Sequence, residues 1–255
     1  MFIDTHTHIY LKDFMEDRNE IIQECAKAKV DKLLLPNIDS STIEEVIKLS
    51  NDYKNICFPM VGLHPCYVSQ DFKKELAILK PYIEKSNPIA IGEIGIDLYW
   101  DKSTFEVQKK AFIEQINWAE EFNLPIVIHA RDSYQEIFQV LDYLKKDNLK
   151  GVFHCFSSNL DDAKKILDYG GFKLGIGGVV TFKNSGLDKV LKEIEIENLI
   201  LETDSPYLAP TPFRGKRNKS SYIPLIANKL SDIYEISIEE IGNITSINAT
   251  KIFNI

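Results

Sequence analysis

The sequence predicts an α/β fold of the (β/α)8 barrel type, and three observations carry that prediction. Eight short apolar runs alternate with longer amphipathic stretches along the 255 residues. The runs are near-continuous in Ile, Leu and Val, as a parallel sheet covered on both faces requires. The length matches the roughly 250 residues that such a barrel uses as one domain, so a single domain spanning 1–255 is expected. An open doubly wound sheet is the competing topology. It normally carries a glycine-rich phosphate turn after its first strand, whereas here that position reads Thr5, His6, Thr7, His8.

Taken in order, the expected strands are 2–5, 32–36, 56–62, 89–95, 125–130, 151–156, 172–177 and 199–203. Expected helices cover 40–50, 72–85, 104–122, 134–146, 160–168 and 187–194, with Ser40 and Ser103 as N-caps and Asn123 and Gly170 as stop signals. The chain from about 221 reads as two further helices, 221–233 and 237–253, with Ser237 as a cap. They are expected on the outer wall of the barrel.

Composition narrows the function classes. The apolar fraction of 44% and charged fraction of 27% are ordinary for a globular protein. A net charge of −8 argues against coating nucleic acid by bulk charge, though not against a local basic site. The first residues lack a basic stretch followed by an apolar core, and the longest apolar runs have strand length, so neither a secretory leader nor a membrane span is expected. Cys25, Cys57, Cys66 and Cys155 are scattered with no CxxC pair. Buried or semi-buried thiols in a reducing cytoplasm are the expected state.

In a barrel the chemistry sits where strands end. His6 and His8 end the first run, His64 the third, Glu93 the fourth, His129 the fifth, His154 the sixth and Asp204 the eighth. All five histidines of the chain thus fall at one rim. A single strand-end histidine is as easily a hydrogen-bonded structural residue as a ligand, but random placement would scatter five over helices and loops. Side chains two apart on a strand share a face, so His6 and His8 point together, and Asp4 shares their parity. Imidazoles combined with carboxylates bind divalent transition metals. The number of such groups exceeds what one tetrahedral ion needs, which points to two ions with Glu93 placed to bridge.

The motifs DTHTH (4–8), GLHP (62–65), IGEIGID (91–97), PIVIHAR (125–131), GVFHCFS (151–157), LETDSPYLAP (201–210) and RGKRN (214–218) run in one order over nearly the whole chain. In this the sequence resembles the TatD family of metal-dependent deoxyribonucleases, within the wider amidohydrolase-like barrel group. The resemblance implies metal ligation by His6, His8, Glu93, His129, His154 and Asp204, with two divalent ions (Zn, Mn or Mg) expected. It also implies hydrolysis of DNA phosphodiester bonds, often from the 3′ end of single strands. Several barrels of the wider group bridge their metals with a carbamylated lysine on strand four, where this chain has Glu93.

The expected division puts one ion with His6, His8, Glu93 and Asp204, and a second with Glu93, His129 and His154. Glu93 and Asp204 are the expected catalytic residues, Asp204 taking a proton from the attacking water. Glu202 shares parity with Asp204; it orients a ligand histidine or Arg131, or is a buried structural acid. His64, Arg131, Arg214 and Lys216 are expected to bind substrate, the last two from a basic segment that also holds Arg217 and Lys219. Tyr99, Trp100, Tyr207 and Phe213 lie in rim loops and could stack bases, although packing under a loop is the plainer reading for any one of them. The glycines at 175, 177 and 178 are expected to permit a crowded end to strand seven. Single-stranded DNA is the expected partner, with no membrane and no obligate protein partner. The alternative function is hydrolysis of a small-molecule ester, lactone or amide on the same barrel, and a non-catalytic metal-binding barrel is the third class.

Overall fold

In the computed structural model, which describes residues 1–146 and 148–255, eight strands alternate with helices. The strands are β1 (Phe2–Asp4), β2 (Val30–Leu35), β3 (Cys57–Pro59), β4 (Ile91–Asp97), β5 (Ile126–Arg131), β6 (Gly151–Phe153), β7 (Phe172–Ile176) and β8 (Leu199–Leu201). They pair in parallel and in sequence order, β1 to β3 as one sheet and β4 to β8 as the other. Both seams are joined by backbone hydrogen bonds. Gly92 N donates to Val61 O at 3.0 Å and Val61 N to Ala90 O at 3.2 Å across the first. Thr5 N donates to Leu201 O (3.0 Å), Asp204 N to His6 O (2.9 Å) and His8 N to Ser205 O (2.8 Å) across the second. The ring of eight strands is therefore complete.

Alternation within each run explains why the apolar stretches are continuous. Leu33 and Leu35, Ile126 and Ile128, and Leu199 and Leu201 pack outward beneath the helices. Leu34, Val127 and Ile200, between them, join Ile3, Met60 and Val152 inside the barrel. Over these stretches both faces are dry, so no polar period appears.

The helices are α1 (Arg18–Lys27), α2 (Ile43–Asp52), α3 (Phe72–Ser86), α4 (Phe105–Glu121), α5 (Tyr134–Leu144), α6 (Leu160–Asp168), α7 (Leu187–Leu191), α8 (Ile223–Tyr234) and α9 (Ile238–Phe253). Several sequence expectations need correction. No helix was expected at α1, because it buries only Ile21, Ile22 and Cys25 and its remaining positions are largely charged or polar, so its periodicity is faint. Ser40 does not cap α2, whose N-cap position is Thr42. Ser103 lies in a short 3-10 turn capped by Asp101, two residues ahead of α4. Ser237 does cap α9, accepting from Glu240 N at 3.2 Å. Asn123 (φ 52°) and Gly170 (φ 78°) take the left-handed conformation that ends α4 and α6.

The tail also differs from its expected place. α9 does pack against α8, but Ala249, Ile252 and Phe253 near its end join Ile3, Leu34 and Val127 and close the barrel interior at the end opposite the histidines. Asn248 Nδ2 fixes this position by donating to Ile196 O and Leu199 O. Among the described residues, no helix is long and apolar enough to cross a membrane.

Candidate metal centre

Regular strand geometry stops short of most of the chemistry. β1 ends at Asp4, β3 at Pro59 and β6 at Phe153, so His6, His8, His64 and His154 lie just beyond strand ends, while Glu93 and His129 lie within β4 and β5. All of them turn into the barrel mouth, where Glu93 is the hub. Its Oε2 lies 3.1 Å from His6 Nε2 and 3.7 Å from His8 Nε2. Its Oε1 lies 2.9 Å from His129 Nδ1, 3.3 Å from His154 Nε2 and 3.3 Å from His64 Nε2. His6 and His8 Nε2 atoms are 3.2 Å apart, and Asp204 Oδ1 reaches them at 3.7 and 3.5 Å. Asp204 adopts a left-handed backbone (φ 56°), which Asp tolerates better than most residues and which its N–H bond to His6 O pins.

These separations suit ions. A tetrahedral site with bonds of about 2.0–2.1 Å places its ligand atoms about 3.3 Å apart. The ring nitrogens, Glu93 oxygens and Asp204 Oδ1 are spaced by 2.9 to 3.7 Å. Among the described residues, three buried or half-buried groups bring one candidate ligand atom each to within 4.8 Å of one another: His6 with His8 and Glu93, His64 with Glu93 and His129, and His6 with His154 and Glu202. No lysine or arginine pairs with Glu93 or Asp204 among the described residues.

Neighbours fix which ring nitrogen carries a proton. The Tyr10 hydroxyl donates to Pro36 O at 2.6 Å, so its oxygen accepts from His8 Nδ1 at 2.8 Å and leaves Nε2 with its lone pair. Asp97 Oδ2 accepts from His129 Nε2 at 2.8 Å, which turns Nδ1 toward Glu93. Glu202 Oε1 accepts from His154 Nδ1 at 3.1 Å and from Cys155 N at 2.6 Å. His64 is set the other way. Its Nδ1 accepts from Cys66 N at 3.1 Å, so the neutral ring carries its proton on Nε2 and offers a donor, not a lone pair.

Electrostatics follow from this crowding. Burial pushes the Glu93 carboxyl up, but the imidazoles of His64, His154 and His6 together hold it well below the usual range. Burial opposes charge on His154, yet Glu93 and Glu202 raise it to about 10. His129 is likewise raised: burial opposes its charge, but its bonds to Asp97 and Glu93 and the Glu93 charge together outweigh it. Burial and the neighbouring His154 lower His6, and burial lowers His64. Asp97 is drawn down to about 2: desolvation opposes this, but the bond and charge of His129 and the bond from Tyr99 N together outweigh it.

Other sequence readings divide. Glu202 orients His154 and does not meet Arg131. Gly175 makes room for it: a Cβ there would lie 2.2 Å from Glu202 Oε2, which bears out the crowding expected at that strand end. Asp4 does not share the mouth with His6 and His8, because the strand bends after it. Its oxygens accept from Thr203 N (2.9 Å), Thr203 Oγ1 (2.6 Å) and His6 N (3.3 Å), and burial raises its carboxyl to about 7.

The basic segment splits as well. Arg217 pairs with Asp17 and Lys219 with Glu24, both on or beside α1, while Arg214 stacks 4.0 Å over Phe182 and Lys216 lies 5.9 Å from Phe213. Phe213 stacks on Tyr222 at 4.4 Å, the packing role. Cys25 and Cys57 are buried, Cys155 is half-buried and Cys66 is exposed, so the thiols are less uniformly covered than expected; all four are free. Asp97 and Tyr10 were missed. Parity with Glu93 and with His8 was the available signal, but their partners depend on cross-strand register and on packing.

The closed parallel barrel, with imidazoles and carboxylates converging at its C-terminal mouth, is that of a metal-dependent hydrolase. Residues 3–254 match the family described as TatD related DNase, and the chain belongs to it. It is 36% identical over 256 residues to YabD of Bacillus subtilis, named an uncharacterized metal-dependent hydrolase, with all of both chains covered. A second relative with a name of the same kind, MG009 of Mycoplasma genitalium, is 34% identical over 264 residues, covering 99% of this chain and 98% of that one. Among solved structures, the TatD homolog YjjV of Escherichia coli K12 superposes with a TM-score of 0.92 at 28% identity, covering 100% of this chain and 98% of the other.

Proposed function

We propose that the chain is a two-metal phosphodiesterase that shortens single-stranded DNA from its 3′ end. The observation that carries this reading is Glu93, whose two oxygens each face a separate set of ring nitrogens. His6, His8, Glu93 and Asp204 would hold one ion, and Glu93, His129 and His154 the other. Divalent ions so held acidify a water and offset charge on phosphoryl oxygens.

The protein's own groups have distinct tasks. Asp204 Oδ1 stands at the more open edge of the cluster and accepts the proton of the attacking water. Glu93 keeps its charge against burial, so it serves as a permanent anion between the two ligand sets. His64, also at the open edge, donates Nε2–H to a phosphoryl oxygen of the scissile group. Arg131, Arg214 and Lys216 neutralise phosphates further along the strand, Arg forks suiting phosphate geometry. The free thiols fit a reducing cytoplasm.

The test is a product ladder on end-labelled DNA and RNA with Zn, Mn or Mg, with and without chelator. Stepwise loss of nucleotides from the 3′ end of single strands, stopped by chelator, is expected. In Asp204→Asn hydrolysis should fall at least about 100-fold while metal stays bound. Turnover of nitrophenyl esters or lactones with DNA left intact would replace this reading with the small-molecule one.

A further inference from the structure

Among the described residues, five of the ten large exposed apolar side chains lie at the barrel mouth: Tyr67, Tyr99, Trp100, Tyr207 and Leu208. One group among them is organised. The Arg131 guanidinium lies 3.7 Å from the Tyr99 ring centroid and 5.5 Å from that of Trp100, and the two rings meet edge to face at 4.9 Å. Trp100 is nevertheless 72% exposed and Tyr99 53%. Among the described residues the Arg131 guanidinium has no ion pair or hydrogen bond; the bonds of this residue are made by its backbone, N–H to Ser133 Oγ and C=O from Leu98 N.

The group is tied rigidly to the metal centre. Asp97 uses one oxygen to hold His129 Nε2 and the other to hold Tyr99 N at 3.0 Å. Arg131 pairs with Asp97 across β4 and β5, and Leu98 N donates to Arg131 O at 2.9 Å. One carboxylate therefore positions a candidate ligand and the aromatic loop together. Burying Trp100 against Tyr99 would be the cheaper use of so large a ring. Its exposure beside an unpaired cation leaves a flat apolar face and a free fork of N–H donors side by side, which is the chemistry of a nucleotide's base and phosphate.

We propose that Trp100, Tyr99 and Arg131 form a subsite for one nucleotide of the strand, the base stacking on Trp100 and its phosphate bonded by Arg131. This deepens the nuclease reading and rests on it, yet the two fail separately. Trp118, the other tryptophan, is buried, so emission changes on binding report Trp100.

The intact chain is titrated under chelator with a single-stranded oligothymidylate and with an abasic strand of equal length. The base-bearing strand should quench the emission and bind about 5- to 100-fold more tightly than the abasic one. By anisotropy of labelled strands, Trp100→Ala should close that gap and Trp100→Phe should keep most of it. Tyr143→Ala, which removes an exposed ring on α5 away from the mouth, should behave as wild type. Equal affinity for the two strands, absence of quenching, or a gap that survives in Trp100→Ala overturns the subsite. Quenching by a strand that no metal causes to be shortened retains the subsite and removes the nuclease reading; shortening without quenching does the reverse.

Discussion

Four of the five imidazoles at the barrel mouth, all but His6, have one nitrogen committed to a neighbour outside the shared centre, and that arrangement decides how the cluster meets an ion. Asp97 and Tyr10 never touch the shared centre, but they set His129 and His8. Asp97→Asn and Tyr10→Phe should each weaken metal binding about 10- to 100-fold, as loss of a ligand's supporting partner does. Calorimetric titration with Zn or Mn checks this, and affinity equal to wild type in both would deny them that role. Protons compete for the same atoms. His154, raised to about 10, holds its proton at neutral pH in the ion-free protein, and the upward shift of His129 also favours its protons. Ion uptake must displace them, so affinity should climb as pH rises from 6 toward 9, with protons released into a weakly buffered solution. Constant affinity across that range would contradict the assignment. The ligand-type residues were legible because each ends an apolar run of the sequence. Of their supporters, Glu202 was legible from its parity with Asp204, but Asp97 and Tyr10 were not, because a tyrosine or aspartate near a strand end looks the same whether it faces a ring or a loop.

At the scale of elements, the chain holds its basic rim segment down from outside the barrel. Arg217 bonds Asp17, just before α1, and Lys219 bonds Glu24 within it. The Asp17 carboxyl is lowered by its hydrogen bonds from Arg217, and Glu24 by its bond from Lys219. Because both are depressed, their contribution is complete above the ordinary carboxylate range and is lost as pH falls through and below about 4. An exposed pair of this kind adds only about 0.2–1 kcal/mol to global stability. Its larger expected effect is on the order of the loop that carries Arg214 and Lys216, the residues proposed to meet phosphates. Arg217→Ala should leave Tm within about 2 °C, speed proteolysis within 211–219, and raise KM for an oligonucleotide several-fold with little change in kcat. A normal cleavage rate in that segment and an unchanged KM would reduce the clip to surface decoration. α1 itself was unreadable in the sequence for the reason that makes it a good clip: most of its surface is charged and faces partners rather than core.

Across the whole molecule, the two ends of the barrel do different work. One end gathers the imidazoles; the other is closed by α9, whose Ala249, Ile252 and Phe253 sit among Ile3, Leu34, Met60, Val127, Val152 and Ile200. The sequence shows α9 clearly as an amphipathic helix but not as a plug, since a helix against the wall and a helix across the floor have the same periodicity and differ only in what lies opposite. The eight-strand ring, by contrast, was readable because a sheet dry on both faces leaves no polar alternation. Separation of stability from chemistry follows from this layout. Phe253 is 3% exposed, and Phe253→Ala should cost about 3–5 kcal/mol of unfolding free energy. Metal affinity of the folded fraction should stay within about twofold of wild type, since α9's end packs at the other end of the barrel from the cluster and distant sites act nearly independently. Urea unfolding and metal titration on the same preparation test the two halves. A variant that loses stability and metal affinity in parallel would mean that closure of the floor tunes the spacing of Glu93 and the rings at the mouth, and that the barrel behaves as a single mechanical unit.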